Sequence, residues 1–110
     1  LGDGVQIMAG SIIQTGVTLG KSTIINTGSI IDHDCMIEDN VHISPGTTIC
    51  GDVDIGKNTF VGANSVVVQN IKIGKNCIIS AGSVIHKNIN NNQKIVQKRD
   101  EHINLIEFAQ

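Results

Sequence analysis

The sequence predicts an all-β fold, a parallel β-helix of hexapeptide repeats with about five triangular coils and a short C-terminal extension. Three observations predict it. First, an aliphatic residue returns every six positions: Leu1, Ile7, Ile13, Leu19, Ile25, Ile31, Ile37, Ile43, Ile49, Ile55, Val61, Val67, Ile73, Ile79 and Ile85. A helix needs a period near 3.6 and a half-buried strand a period of 2, so a strict six marks a short strand and a turn, repeated. Second, a smaller or β-branched residue follows four positions later: Ser11, Val17, Thr23, Ser29, Cys35, Val41, Thr47, Val53, Thr59, Ser65, Ile71, Cys77 and Ser83. Alternating large and small inward residues fill a narrow interior, and β-branched ones suit a pleated surface. Third, the hexads recur in threes. Leu19-Gly20-Lys21-Ser22 returns as Ile55-Gly56-Lys57-Asn58 and Ile73-Gly74-Lys75-Asn76, and Ala9-Gly10-Ser11 returns as Thr27-Gly28-Ser29 and Ala81-Gly82-Ser83. One coil therefore takes 18 residues. At a strand spacing of ~4.8 Å, five coils rise roughly 25 Å.

Taken in chain order, residues 1–90 form the solenoid, with Gly and Asn at the corners because both tolerate positive φ at low cost. The sequence enters inside the repeat, without Met or a capping element, and reads as a piece cut from a longer protein. His86-Lys87-Asn88-Ile89-Asn90-Asn91-Asn92 reads as an exit loop. Residues 91–110 form a tail in which Ile95, Val96, Ile103, Leu105, Ile106 and Phe108 are set among charges. They suit either a short helix or a strand capping the last coil, and the sequence does not separate the two.

Composition narrows the function classes. Aromatics are 2% and Trp and Tyr are absent, so no conventional aromatic core is built. A net charge of −2 argues against a nucleic-acid or anionic-membrane partner. No run of 18 apolar residues and no charged-then-apolar leader occurs. Three cysteines with no C-x-x-C spacing give neither a disulfide framework nor a zinc knuckle. Cys35 and Cys77 fall in the inward small column as core thiols, whose reduced state suits the cytoplasm, and Cys50 is the exposed one. Gly16-Val17-Thr18-Leu19-Gly20-Lys21-Ser22 imitates a phosphate loop but has three residues between its glycines where the motif needs four. His86 and His102 lie outside the repeat and read as surface residues.

The strongest local signal is Asp32-His33-Asp34. His33 stands two places after the inward Ile31 and projects outward, and Asp34 is placed to orient the imidazole or raise its basicity. The same triplet also reads as a solvated polar loop. The string Asn26-Thr27-Gly28-Ser29-Ile30-Ile31-Asp32-His33-Asp34-Cys35, followed by Val41-His42-Ile43-Ser44-Pro45-Gly46, resembles the bacterial hexapeptide-repeat sugar O- and N-acetyltransferases. These act on sialic acid or UDP-4-amino-sugars on the way to surface polysaccharides and glycoproteins. The resemblance covers roughly residues 1–85 and implies a left-handed β-helix. It implies an enzyme with acetyl-CoA as co-substrate and a sugar or nucleotide-sugar acceptor; no metal is expected, and the reduced thiols point to the cytoplasm. It also implies a homotrimer, with acceptor and cofactor bound between prisms. By the same resemblance His33 is the general base, Asp34 assists it, Asn26 lies near the acceptor, and His42 touches the thioester region. Gly51 offers a backbone N–H to the acetyl oxygen, and Ala63 and Ala81 give main-chain contacts to coenzyme A.

Spacing agrees with one part of this. His33 and Gly51 differ by 18 residues, so they stack on adjacent coils about 5 Å apart. The small residues Ala9, Thr27, Pro45, Ala63 and Ala81 also recur every 18, leaving either a smooth groove for a pantetheine arm or ordinary coil geometry. Two departures from the family stand out. The N-terminal Rossmann-like domain of many members has no counterpart in the sequence, and the usual Gly-Val-Pro-Ala stretch is replaced by the Asn-rich tail. Two alternatives remain. One is a zinc enzyme resembling the γ-class carbonic anhydrases, for which His33 and His42 supply two of three imidazoles. The other is a solenoid with a structural role and no activity.

Overall fold

The chain turns a corner every six residues, and its strands are only two residues long. The computed structural model describes residues 1–97; residues 98–110, and with them His102, Ile103, Leu105, Ile106 and Phe108 of the expected capping segment, lie outside the described residues. The first coil holds β1 (Gln6–Ile7), β2 (Ile12–Ile13) and β3 (Thr18–Leu19). The second holds β4 (Ile24–Ile25), β5 (Ile30–Ile31) and β6 (Met36–Ile37). The third holds β7 (His42–Ile43), β8 (Thr48–Ile49) and β9 (Asp54–Ile55), and the fourth β10 (Phe60–Val61), β11 (Val66–Val67) and β12 (Lys72–Ile73). β13 (Ile78–Ile79) and β14 (Val84–Ile85) follow, then β15 (Lys94–Ile95).

Every pairing is parallel and joins residues one coil apart, as in Ile25 with Ile43 and Ile43 with Val61. Three flat sheets result. The first stacks β1, β4, β7, β10, β13 and β15; the second stacks β2, β5, β8, β11 and β14; the third stacks β3, β6, β9 and β12. This is the left-handed parallel β-helix of the prediction. Residues 91–97 carry no helix: Lys94 and Ile95 pair with Ile78 and Ile79, and an isolated bridge joins Ile89 to Ile73, so the chain winds on past the expected exit loop. No helix of the described residues is long and apolar enough to cross a membrane.

The six-residue series is the core. From Leu19 to Ile85 every member is buried, and Ile25, Ile31, Ile37, Ile43, Ile49, Ile55, Val61, Val67 and Ile79 are fully enclosed. Leu1 and Ile7, 86% and 43% exposed, and the part-buried Ile13 depart from the pattern, because no earlier coil stacks on them, whereas Leu19 already has the start of the chain beneath it. The small column is buried from Thr23 to Ser83. Its polar members are satisfied in a regular way: Thr23, Ser29, Thr47, Thr59 and Ser65 each donate to a corner carbonyl on the next coil, and Ser83 to the Ser80 carbonyl on its own. Thr23 Oγ1 reaches the Glu38 carbonyl at 2.8 Å, Ser29 Oγ the Ser44 carbonyl at 2.9 Å, and Thr59 Oγ1 the Gly74 carbonyl at 2.8 Å. The Cys35 and Cys77 thiols follow suit towards the Cys50 and Asn90 carbonyls, both at 3.1 Å. Among the described residues no buried side-chain nitrogen or oxygen lacks a partner.

Candidate active site

The corner between the second and third sheets carries His33. Its main-chain N–H donates to the Asp32 carboxylate at 2.7 Å, an Asx turn that fixes the corner. Asp34 follows with φ of 57°, which swings its side chain back towards the ring. The Asp34 carboxylate meets His33 Nδ1 at 3.1 Å. That hydrogen bond holds Nδ1 as the protonated nitrogen and leaves the Nε2 lone pair free. It is also the main reason the imidazole's pKa lies above its ordinary value; burial opposes it, and the charges of Asp32, Asp52 and Asp34 add to it. The pair is half exposed, so a substrate has access to it.

Gly51 lies directly beneath the ring. A Cβ placed there would collide with His33 Nε2 and Cε1, so only glycine allows the imidazole to rest on this backbone. The Gly51 carbonyl accepts from the Asn70 N–H at 3.0 Å, while the Gly51 N–H has no acceptor among the described residues. A free base nitrogen and a free backbone donor thus share one small area, the pairing needed to remove a proton and hold a developing oxyanion.

The other predicted residues gather elsewhere. Asn26 stands at the corner between the first and second sheets, its Nδ2 3.4 Å from His42 Nε2, and His42 points outward from β7. Asn26 Oδ1 accepts from the Thr27 N–H at 2.7 Å. Ala63 and Ala81 lie on that same corner, two and three coils beyond Asn26, with Ala81 exposed. The structure therefore brings His33, Asp34 and Gly51 together at one edge of the second sheet, and Asn26, His42, Ala63 and Ala81 together at the other. One hexapeptide separates the two edges, at most roughly 20 Å of chain.

Two residues were missed. Phe60 packs edge-on against His42, with ring centroids 5.2 Å apart and planes at 80°. Gly16 lies beneath the Asp34 carboxylate, where a Cβ would overlap Asp34 Oδ1. Each differs by 18 residues from the residue it supports, so the coil register was a signal for both. A shallow hollow of about 240 Å³ on the third sheet, lined by Met36, Glu38, Asp54 and Lys75 among others, includes no residue of either cluster and holds no imidazole or thiol. Its concavity is less informative than the chemistry at the corners. Among the described residues the three imidazoles required by the zinc alternative do not converge: His33 and His42 occupy opposite edges of the second sheet, and His86 lies three coils from His33.

The family profile for bacterial transferase hexapeptides (six repeats) matches residues 16–51, 34–69 and 52–87. The chain belongs to this family. A search among curated proteins finds no match. Among solved structures, the chain is similar to the acetyltransferase domain of PglB from Neisseria gonorrhoeae FA1090, with 32% identity, a TM-score of 0.87, and coverage of 88% of this chain and 47% of that one. The same domain in complex with acetyl coenzyme A gives 32% identity and a TM-score of 0.86 over 87% of this chain and 47% of that one. A perosamine N-acetyltransferase from Caulobacter crescentus, in complex with CoA and GDP-perosamine, shares the fold at 24% identity and a TM-score of 0.71, over 86% of this chain and 50% of that one. The hexapeptide chain thus spans about half the length of these proteins.

Proposed function

We propose that this chain is the acetyl-transferring part of a bacterial sugar acetyltransferase. Acetyl-CoA is its co-substrate and an amine or hydroxyl of a sugar or nucleotide-sugar, sialic acid among them, is its acceptor in surface-glycan synthesis in the cytoplasm. The observation that carries the reading is the His33 imidazole resting on Gly51, a lone base over a backbone donor with no acceptor among the described residues. Likeness to a PglB domain that binds acetyl coenzyme A supports it.

In this reading His33 Nε2 takes the proton from the acceptor nitrogen or oxygen as that atom attacks the thioester carbonyl. The Gly51 N–H holds the oxyanion of the tetrahedral intermediate. Collapse breaks the carbon–sulfur bond, and the departing CoA sulfur takes the proton from the His33 imidazolium. Asp34 keeps the ring in the productive tautomer and stabilises its charged form. Asn26 contacts the acceptor, His42 the thioester region, and the Ala63 and Ala81 backbone the pantetheine arm. The solenoid 1–90 carries all of these residues and the tail 91–110 none.

Because the two clusters lie at opposite edges of the second sheet, a site containing both needs two chains, and we read the assembly as a homotrimer. Calorimetric titration with acetyl-CoA tests the reading. Saturable binding near one site per chain is expected, with His33→Ala retaining binding and losing transfer to amino-sugar or sialic acid acceptors by ~10²-fold or more. A folded protein that binds no acetyl-CoA, or a His33→Ala variant with full activity, overturns it.

A further inference from the structure

Asp52 follows Gly51 and stacks one coil beyond Asp34, with the same φ of 57°. Its N–H donates to the His33 carbonyl at 3.0 Å, which ties its corner to that of the base. One ring nitrogen of His33, one carboxylate oxygen of Asp34 and one of Asp52 lie within 4.8 Å of one another. The Asp52 carboxylate has no hydrogen-bond or ion-pair partner among the described residues, whereas Asp34 is already committed to Nδ1.

Backbone geometry does not explain the charge. Nine non-glycine residues of the described chain have positive φ; six are Asn, one is Ser, and the two acids are Asp34 and Asp52. Asn is at ease in that conformation, and the next residue up the same corner column is Asn70. Among the described residues, a carboxylate occupies the positive-φ position itself only beside His33. Two carboxylates so close repel each other unless a positive charge lies between them, and the protonated imidazole is the one positive group there. The charged groups facing His33 are Asp32 and Asp34 on its own corner and Asp52 on the coil beyond, while the coil on its other side offers the uncharged Thr15 and Gly16.

We infer that Asp52 is a positioning residue, a second carboxylate partner that shares the His33 imidazolium with Asp34 and holds it in place after it takes the acceptor proton. The inference rests on the general-base reading of His33. The raised pKa of the imidazole, to which Asp52 contributes, is consistent with it.

The test is the NMR titration of the His33 ring in the full chain, without ligand, with the resonance assigned by its loss in His33→Gln. Asp52→Asn keeps a residue that fits the left-handed turn, so melting is expected to stay level or rise. The His33 midpoint is expected to fall by about half a unit. Asp34→Asn is expected to lower it further and to shift ring-nitrogen signals away from the Nδ1-protonated tautomer. The double variant should lower the midpoint more than either single change. An unchanged midpoint in Asp52→Asn, with Asp34→Asn shifted, overturns the inference. If instead His33→Ala retains full transfer while the Asp52→Asn shift is seen, it is the general-base reading that fails, and the two failures are told apart.

Discussion

At the residue scale the proposed site depends on what is missing at position 51. The Gly51 φ is not in the left-handed region, so alanine fits its backbone without strain. The added Cβ meets the far end of a half-exposed His33 side chain, which can swing away at small cost to the fold. Gly51→Ala is therefore expected to change stability by less than about 1 kcal/mol and to lower transfer by about 10²-fold by displacing the base. Paired melting and acetyl-transfer measurements check it; wild-type activity in that variant would show that the imidazole does not work from its place over the backbone. The sequence made the relation of His33 to Gly51 legible because a gap of 18 residues means stacking. Gly16 under Asp34, Phe60 against His42 and Asp52 one coil beyond Asp34 have the same 18-residue relation to candidate site residues, and the spacing alone does not single them out. Register says only that two residues are neighbours. Which way a side chain leans at a corner depends on the sign of φ, and the same letters, Asn, Asp and Gly, serve every corner.

At the scale of one coil, the large inward residues supply burial and the small ones supply fit and hydrogen bonds. The period of six in the sequence was enough to place both columns inside, and the structure buries them from Leu19 and Thr23 onward. The pattern did not reveal that each inward hydroxyl serves a corner carbonyl, because Val41 and Val53 occupy equivalent positions with no donor at all. Thr59, like Ser29 and Ser65, both donates and accepts. Its Oγ1 donates to the Gly74 carbonyl at 2.8 Å and accepts from the Cys77 N–H at 3.1 Å. Thr59→Val keeps the shape and leaves one buried acceptor and one buried donor unpaired. It is expected to cost about 1–3 kcal/mol, read as a lower urea midpoint at constant slope. An unchanged midpoint would mean that these hydroxyls follow the coil and do not hold it.

At the scale of the molecule, the three outward faces differ in a way that sets how copies meet. The third sheet presents Thr18, Met36, Asp54 and Lys72, with Asp54 and Lys72 paired at 3.3 Å. The first presents Gln6, Ile24, His42, Phe60, Ile78 and Lys94. The second presents Ile12, Ile30, Thr48, Val66 and Val84, a row without a charge and with Ile12 and Val84 each 48% exposed. That apolar row lies between the two halves of the proposed site. If neighbours pack along it head to tail, the His33 edge of one prism meets the His42 edge of the next, and a ring of three closes. An acid at the middle of the row leaves the monomer's inward core untouched, yet it puts an unpaired charge in the contact. Val66→Asp is thus expected to give a monomer with unchanged β-helix circular dichroism and to lose acetyl-CoA binding with the trimer, whereas Met36→Asp on the third sheet keeps both. Sedimentation of the two variants decides the interface. A trimeric Val66→Asp would move the contact to another face, and a monomer that still binds acetyl-CoA would show that one prism completes the site by itself.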